Sequence, residues 1–105
     1  MNEAQYRTKL TRKLSEMFPG CVIIPGDALQ QQGILDLFIL WGTRWAALET
    51  KVSMSADRRP NQEYFVNMFD EMSFAAFICP ENEEEVLGAL QQAFESPRRT
   101  RVSQS

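Results

Sequence analysis

Three residues in the middle of the chain combine the types needed for metal-assisted chemistry: Asp36, Glu49 and Lys51. They sit in two runs, ILDLFILW and RWAALETKV, which read as buried strands on either side of Gly42-Thr43. A glycine-first pair of this kind is the signature of a two-residue II′ hairpin. With that turn, Trp41 faces Arg44 and every opposed pair of residue numbers sums to 85, so Asp36 faces Glu49. Side chains alternate along a strand, so both acids share one face, and Lys51 shares it with Glu49. A longer turn or a bulge shifts the pairing by one residue and separates the acids.

Opposed carboxylates with Cβ atoms about 4.5–5.5 Å apart repel one another. Lys51 offsets part of that repulsion, and converging oxygens at this spacing are what a hard divalent cation such as Mg²⁺ requires, with Mn²⁺ as a substitute. The chemistry expected of such a site is phosphodiester hydrolysis. A cation held by Asp36, Glu49 and the Thr50 backbone carbonyl would polarise phosphate and lower the pKa of a bound water, while Lys51 orients that water or stabilises developing charge. Glu3 and Gln62 join the set by helical spacing. Glu3 falls on the stripe of Tyr6 and Leu10, whereas Glu16 falls off it, and Gln62 stands in the same relation to Phe65 and Phe69. Glu3 can then reach a metal-held water or a second ion, and Gln62 can position Lys51 or the substrate.

The elements that must carry these residues follow in the order α-β-β-β-α-β-α. Tyr6, Leu10, Leu14 and Met17 recur at helical spacing from Asn2 to Phe18, and Pro19-Gly20 stops that helix. CVII (21–24) is a short strand closed by Pro25-Gly26, and 27–32 reads as a flexible loop. After the hairpin, Pro60 fits the first turn of a helix running to about Met72, with Phe65, Met68, Phe69 and Met72 on one stripe. FAAFIC (74–79) is a further strand, and a helix from about Asn82 to Glu95 buries Val86, Leu87, Leu90 and Phe94. The fold class is α/β, a mixed sheet with helices on its faces, forming one domain over 1–95 followed by a basic, polar tail over 96–105.

Composition narrows the chemistry. A chain of 105 residues with 44% hydrophobic content supports a single core, and no stretch approaches the roughly 18 apolar residues of a membrane span. There is no histidine, which excludes His/Cys zinc sites and Ser/His or Cys/His devices. The amino-terminal MNEAQYRTKL lacks a secretory h-region, and Cys21 and Cys79 read as core packing in a reducing, cytoplasmic setting. The formal net charge of −3 argues against non-specific binding to nucleic acid, but the positive charge is clustered. Arg7, Lys9, Arg12 and Lys13 share the first helix, Arg58 and Arg59 precede the second, and Arg98, Arg99 and Arg101 lie in the tail. Of these, Lys13, Arg58, Arg59, Arg98 and Arg99 are candidate phosphate contacts, with solvated surface as the equal alternative. Trp41 and Trp45 either stack on DNA or serve packing or a dimer contact. The acidic run Glu81–Glu85 fits the first turn of the last helix, where the helix dipole favours it.

In order and spacing, the early Glu3, IPG, GILD, LETK and RRPNQ resemble the PD-(D/E)XK nuclease superfamily, and within it the short phage or prophage form of the virus-type replication-repair nuclease (VRR-NUC) domain. Leu35 replaces the proline usual before the aspartate, a change of backbone shape and not of a ligand. The resemblance implies a restriction-endonuclease-like core, Asp36 and Glu49 as metal ligands, Lys51 as catalytic, and Glu3 and Gln62 as the helix acid and helix glutamine. It also implies a homodimeric, Mg²⁺-dependent endonuclease acting on branched DNA such as Holliday junctions or flaps. Two alternatives stand beside it: a catalytically inactive nuclease-fold module that binds DNA or protein, and an interaction protein whose acids only make salt bridges.

Overall fold

The structure is a computed structural model and describes residues 1–27, 33–58 and 61–96. The sequence is folded into seven elements: α1 (Glu3–Met17), β1 (Val22–Pro25), β2 (Leu37–Trp41), β3 (Arg44–Thr50), α2 (Gln62–Met72), β4 (Phe74–Ile78) and α3 (Glu83–Glu95). The expected order of elements is therefore observed. The expected loop is described only at Asp27 and the basic tail only at Ser96; Pro60 and the rest of both segments lie outside the described residues.

Helix α1 starts on a capping box. The Asn2 side chain accepts the Gln5 N–H at 2.8 Å, and the Gln5 side chain accepts the Asn2 N–H at 2.9 Å. Two orphan donors of the first turn are thereby satisfied, which is why Asn2 caps the helix instead of opening it. The hairpin forms as its residues dictate. Gly42 adopts φ +62° while Thr43 stays out of the left-handed region, the pattern of a II′ turn. The ladder runs from Leu37↔Leu48 to Trp41↔Arg44, so the register summing to 85 holds throughout.

The sheet is mixed, with strand order β1-β2-β3-β4: the first two pairings are antiparallel and the last is parallel. Alternation along β3 divides its residues between two layers. Ala46 and Leu48 join Leu10, Leu14, Leu87 and Leu90 beneath α1 and α3. Ala47 and Trp45 turn the other way, to Val66, Phe65 and Phe69 of α2. With both faces covered, residues 46–50 of β3 are all buried, and any polar group placed there is held inside the protein.

Several boundaries and one stripe differ from expectation: β3 ends at Thr50 and not Val52, and β4 at Ile78 and not Cys79. Strand β1 is shifted to Val22–Pro25, and Pro25 is tolerated because an edge strand has a ladder bond on one side only. Strand β2 begins at Leu37 and not within ILD, because the Asp36 amide and carboxylate are both engaged by side chains and backbone at the end of β3. Helix α3 begins at Glu83, with Asn82 outside it as the cap. On α2 the buried stripe is centred on Val66, flanked by half-buried Phe65, Met68 and Phe69, and Met72 is 62% exposed at the helix end. The α3 stripe is as expected, with Val86, Leu87, Leu90 and Phe94 all buried. No helix among the described residues is long and apolar enough to cross a membrane.

Candidate active site

The site forms where β2 begins and β3 ends. Two glycines bring the chain close enough to build it. At Gly26 a Cβ would lie 1.7 Å from the Leu35 carbonyl oxygen, and the Gly26 N–H donates to the Asp36 carbonyl at 2.8 Å. At Gly33, where φ is +85°, a Cβ would lie within 2.5 Å of the Phe65 ring, so the first turn of α2 seats directly on the segment leading to Asp36.

Asp36 lies one residue beyond the last ladder pair of β2 and β3, opposite Glu49 as the register requires. The two acids are linked through the backbone: the Asp36 N–H donates to Glu49 Oε1 at 3.0 Å. The Asp36 carboxylate is fixed by the next residue of β3. Its Oδ2 accepts the Thr50 N–H at 2.9 Å and the Thr50 hydroxyl at 2.6 Å. Thr50 is fully buried and points to the aspartate, so it contributes more than the backbone carbonyl expected of it.

Glu49 is 6% exposed, a carboxylate inside the sheet. Its Oε2 accepts from Gln62 Nε2 at 2.6 Å, and Gln62 Oε1 accepts from Lys51 Nζ at 2.8 Å. Gln62 thus joins acid to ammonium across the gap between α2 and β3. Lys51 is held further by donating to the Asp57 carbonyl at 3.2 Å, and its backbone N–H continues the pairing with β4 by donating to the Ile78 carbonyl at 2.9 Å. Burial, then the neighbouring Asp36 charge, push the Glu49 carboxyl up to about 7; the Asp36 N–H and the Lys51 charge act the other way and lose.

Glu3 does not reach the acid pair directly. It ion-pairs with Arg7 one turn along α1 at 3.7 Å, and Arg7 Nη2 stands 3.9 Å from Asp36 Oδ1. Arg7 is therefore a site residue, although its sequence position marks it only as one of the basic residues of the first helix. The i, i+4 spacing to Glu3 was visible, but where that helical edge meets β2 is a tertiary fact. Glu16 is exposed, as its position off the stripe predicts.

The candidate DNA contacts divide. Arg58 is exposed, with its guanidinium carbon 3.8 Å from the centroid of the Phe77 ring, close to the site. Lys13 is committed elsewhere, donating to Glu83 Oε2 at 2.8 Å. Arg59, Arg98 and Arg99 lie outside the described residues. Of the two tryptophans, Trp41 packs against Phe18 and Phe94 and donates to the Pro19 carbonyl at 3.0 Å, while Trp45 packs against Phe38 and Phe69. Both serve packing. Cys79 is buried, Cys21 is partly so, and neither is in a disulfide.

As a donor set for a metal, the residues are two carboxylates and a backbone carbonyl; among the described residues no three His, Cys, Asp or Glu side chains converge. Hard oxygens alone suit Mg²⁺ or Mn²⁺ and not a soft ion. The Glu49 carboxyl is raised by burial first and by the Asp36 charge second, and a divalent cation would offset both. Glu3, behind Arg7, is not a direct ligand in this arrangement. Compared with known protein families, curated proteins and solved structures, the chain matches none.

Proposed function

We propose that this chain is a metal-dependent DNA endonuclease with a restriction-endonuclease-like core, of the virus-type replication-repair kind that its motifs resemble, acting on branched DNA. The observation that carries the reading is the hydrogen-bonded line Glu49–Gln62–Lys51 beside Asp36. A structural salt bridge needs no neutral amide between its charges. Here Gln62 holds the Lys51 ammonium in place without pairing it directly to Glu49, an arrangement that leaves one of its three donors for a substrate.

Asp36, Glu49 and the Thr50 carbonyl would hold Mg²⁺ or Mn²⁺, which when bound polarises the phosphate and lowers the pKa of water. Thr50 fixes Asp36 through Oδ2, leaving Oδ1 as the oxygen not spoken for by a hydrogen bond from Thr50. Gln62 and the Asp57 carbonyl together orient the Lys51 ammonium, which directs the attacking water or stabilises charge developing on phosphate. Arg58, whose guanidinium carbon lies over the Phe77 ring, would meet a phosphate arriving beside Lys51. A homodimer would present two such sites to the two strands of a symmetric junction.

The test is cleavage of synthetic four-way junctions, flaps, forks and linear duplex with Mg²⁺. Asp36→Asn and Lys51→Ala each reduce cleavage by at least about 10²-fold while junction binding persists. Wild-type protein that binds junctions and leaves them uncut would replace this reading with the inactive binding module. Acids that serve only as salt bridges predict neither cleavage nor binding.

A further inference from the structure

Resting on the metal-site reading above, we propose that Arg7 is a displaceable counter-cation: it balances Asp36 when no divalent ion is bound, and such an ion must expel it from Asp36 Oδ1 to bind. The geometry shows a side chain held near the site without being fixed to it. Arg7 Nη2 lies 3.9 Å from Asp36 Oδ1 and 3.7 Å from Glu3 Oε1, within ion-pair range of both and beyond hydrogen-bond reach of either. Its Nε is buried and donates to nothing among the described residues. An arginine used as a structural clamp makes directed, often bidentate bonds to a carboxylate; this one makes none to Asp36.

Asp36 is prepared for such an exchange. Its Oδ2 is locked by the Thr50 amide and hydroxyl, so the carboxylate keeps its orientation whichever cation faces Oδ1. Lys51 makes no ion pair with Asp36: its ammonium is aimed at Gln62 and the Asp57 carbonyl, so Arg7 is the cation that faces Oδ1. Glu3 gives the departing guanidinium a partner on its own helix, so displacement does not strand a charge: Arg7 already lies between the two carboxylates and needs only to shift toward the second. Glu3 then acts on the metal site as the anchor of its competitor, which accounts for an acid on the site-facing edge of α1 that touches neither Asp36 nor Glu49.

A unit positive charge about 4 Å from a ligand oxygen weakens cation binding at least about fivefold even at the dielectric constant of water. The experiment is Mn²⁺ binding without DNA, followed by the loss of the free-ion electron paramagnetic resonance signal and by calorimetry. It compares wild type with Arg7→Gln and Arg7→Met, two neutral side chains of similar reach, and with Arg7→Lys. Both neutral variants bind Mn²⁺ at least about fivefold more tightly than wild type, and Arg7→Lys stays within about twofold. Equal or weaker binding by the neutral variants, with wild type binding normally, overturns the displacement and leaves the nuclease reading standing. Absence of Mn²⁺ binding from wild type and all three variants overturns both.

Discussion

Glu49, buried, and Glu83, half-buried, are two carboxylates that each accept two hydrogen bonds, and they behave in opposite ways. Glu83 takes the Tyr6 hydroxyl on Oε1 at 2.9 Å and the Lys13 ammonium on Oε2 at 2.8 Å. Glu49 takes the Asp36 amide at 3.0 Å and the Gln62 amide at 2.6 Å. Burial pushes both carboxyls up. At Glu83 it is outweighed by the bonds from Lys13 and Tyr6, and the group ends below the ordinary carboxylate range. At Glu49 it is reinforced by Asp36 and prevails. The number of hydrogen bonds is the same, so what decides is the deeper burial of Glu49 together with the charge of the donors. Lys13 touches Glu83, whereas Lys51 makes no hydrogen bond to Glu49 and is linked to it through the neutral amide of Gln62. One acid is balanced and ties α1 to α3; the other awaits positive charge.

Function is the widest way to open that contrast. In the cleavage assay Asp36→Asn loses at least about 10²-fold, while Glu83→Gln cuts at the wild-type rate because its carboxylate serves only the α1–α3 contact. A comparable loss in Glu83→Gln would erase the distinction between the two acids.

Stability reverses the ranking. Glu83→Ala strands the buried Tyr6 hydroxyl, whose own pKa burial and Glu83 drive upward, and releases Lys13 to solvent. An orphaned buried hydroxyl costs about 1–3 kcal/mol, which in a domain of this size lowers Tm by roughly 4–12 °C. The exposed Lys13 bond adds little to that. Tyr6→Phe combined with Glu83→Ala should recover part of the loss, since no hydroxyl is then left unpaired. Calorimetric Tm values for the single and double variants check this, and equal losses in both would show that the hydroxyl is not the source.

Much of the site was legible because its determinants are local. A two-residue turn fixes a register, and the register alone sets Asp36 opposite Glu49. Gln62 was legible from its distance to Phe65 and Phe69 along one helix. What stayed hidden depends on where separate elements meet. Strand alternation turns the Thr50 side chain away from the face that Glu49 and Lys51 share. It reaches Oδ2 because Asp36 stands just outside β2, where strand alternation no longer dictates its direction. Arg7 belongs to the site because α1 passes beside the start of β2, which no spacing within α1 reveals. Lys13 looked like a candidate phosphate contact for the converse reason: its partner Glu83 is 70 residues away. Met72 shows the limit of a stripe, since periodicity identifies a face but not where the neighbouring sheet stops covering it.

The smallest effect concerns pH. The folded Glu49 carboxyl titrates at about 7, above its ordinary value of 4.5, so the folded state holds this proton more tightly than the unfolded chain does. Its contribution to stability is therefore fully present below about 4.5 and is lost as pH rises through about 7. Glu49→Gln abolishes the charge and with it the loss. Without divalent ions the variant should be more stable than wild type at pH 8 by about 1 kcal/mol, or roughly 4 °C in Tm. The gap should close towards pH 5, where wild-type Glu49 is itself neutral in the folded protein. Glu83→Gln should show the opposite sign: its carboxyl is held below the ordinary range, so the stability it gives is present at neutral pH and fades as pH falls. Thermal unfolding of the two variants and wild type across pH 4–8 reads both slopes in one series. Parallel curves for Glu49→Gln and Glu83→Gln would mean that the two carboxylates share one electrostatic environment after all.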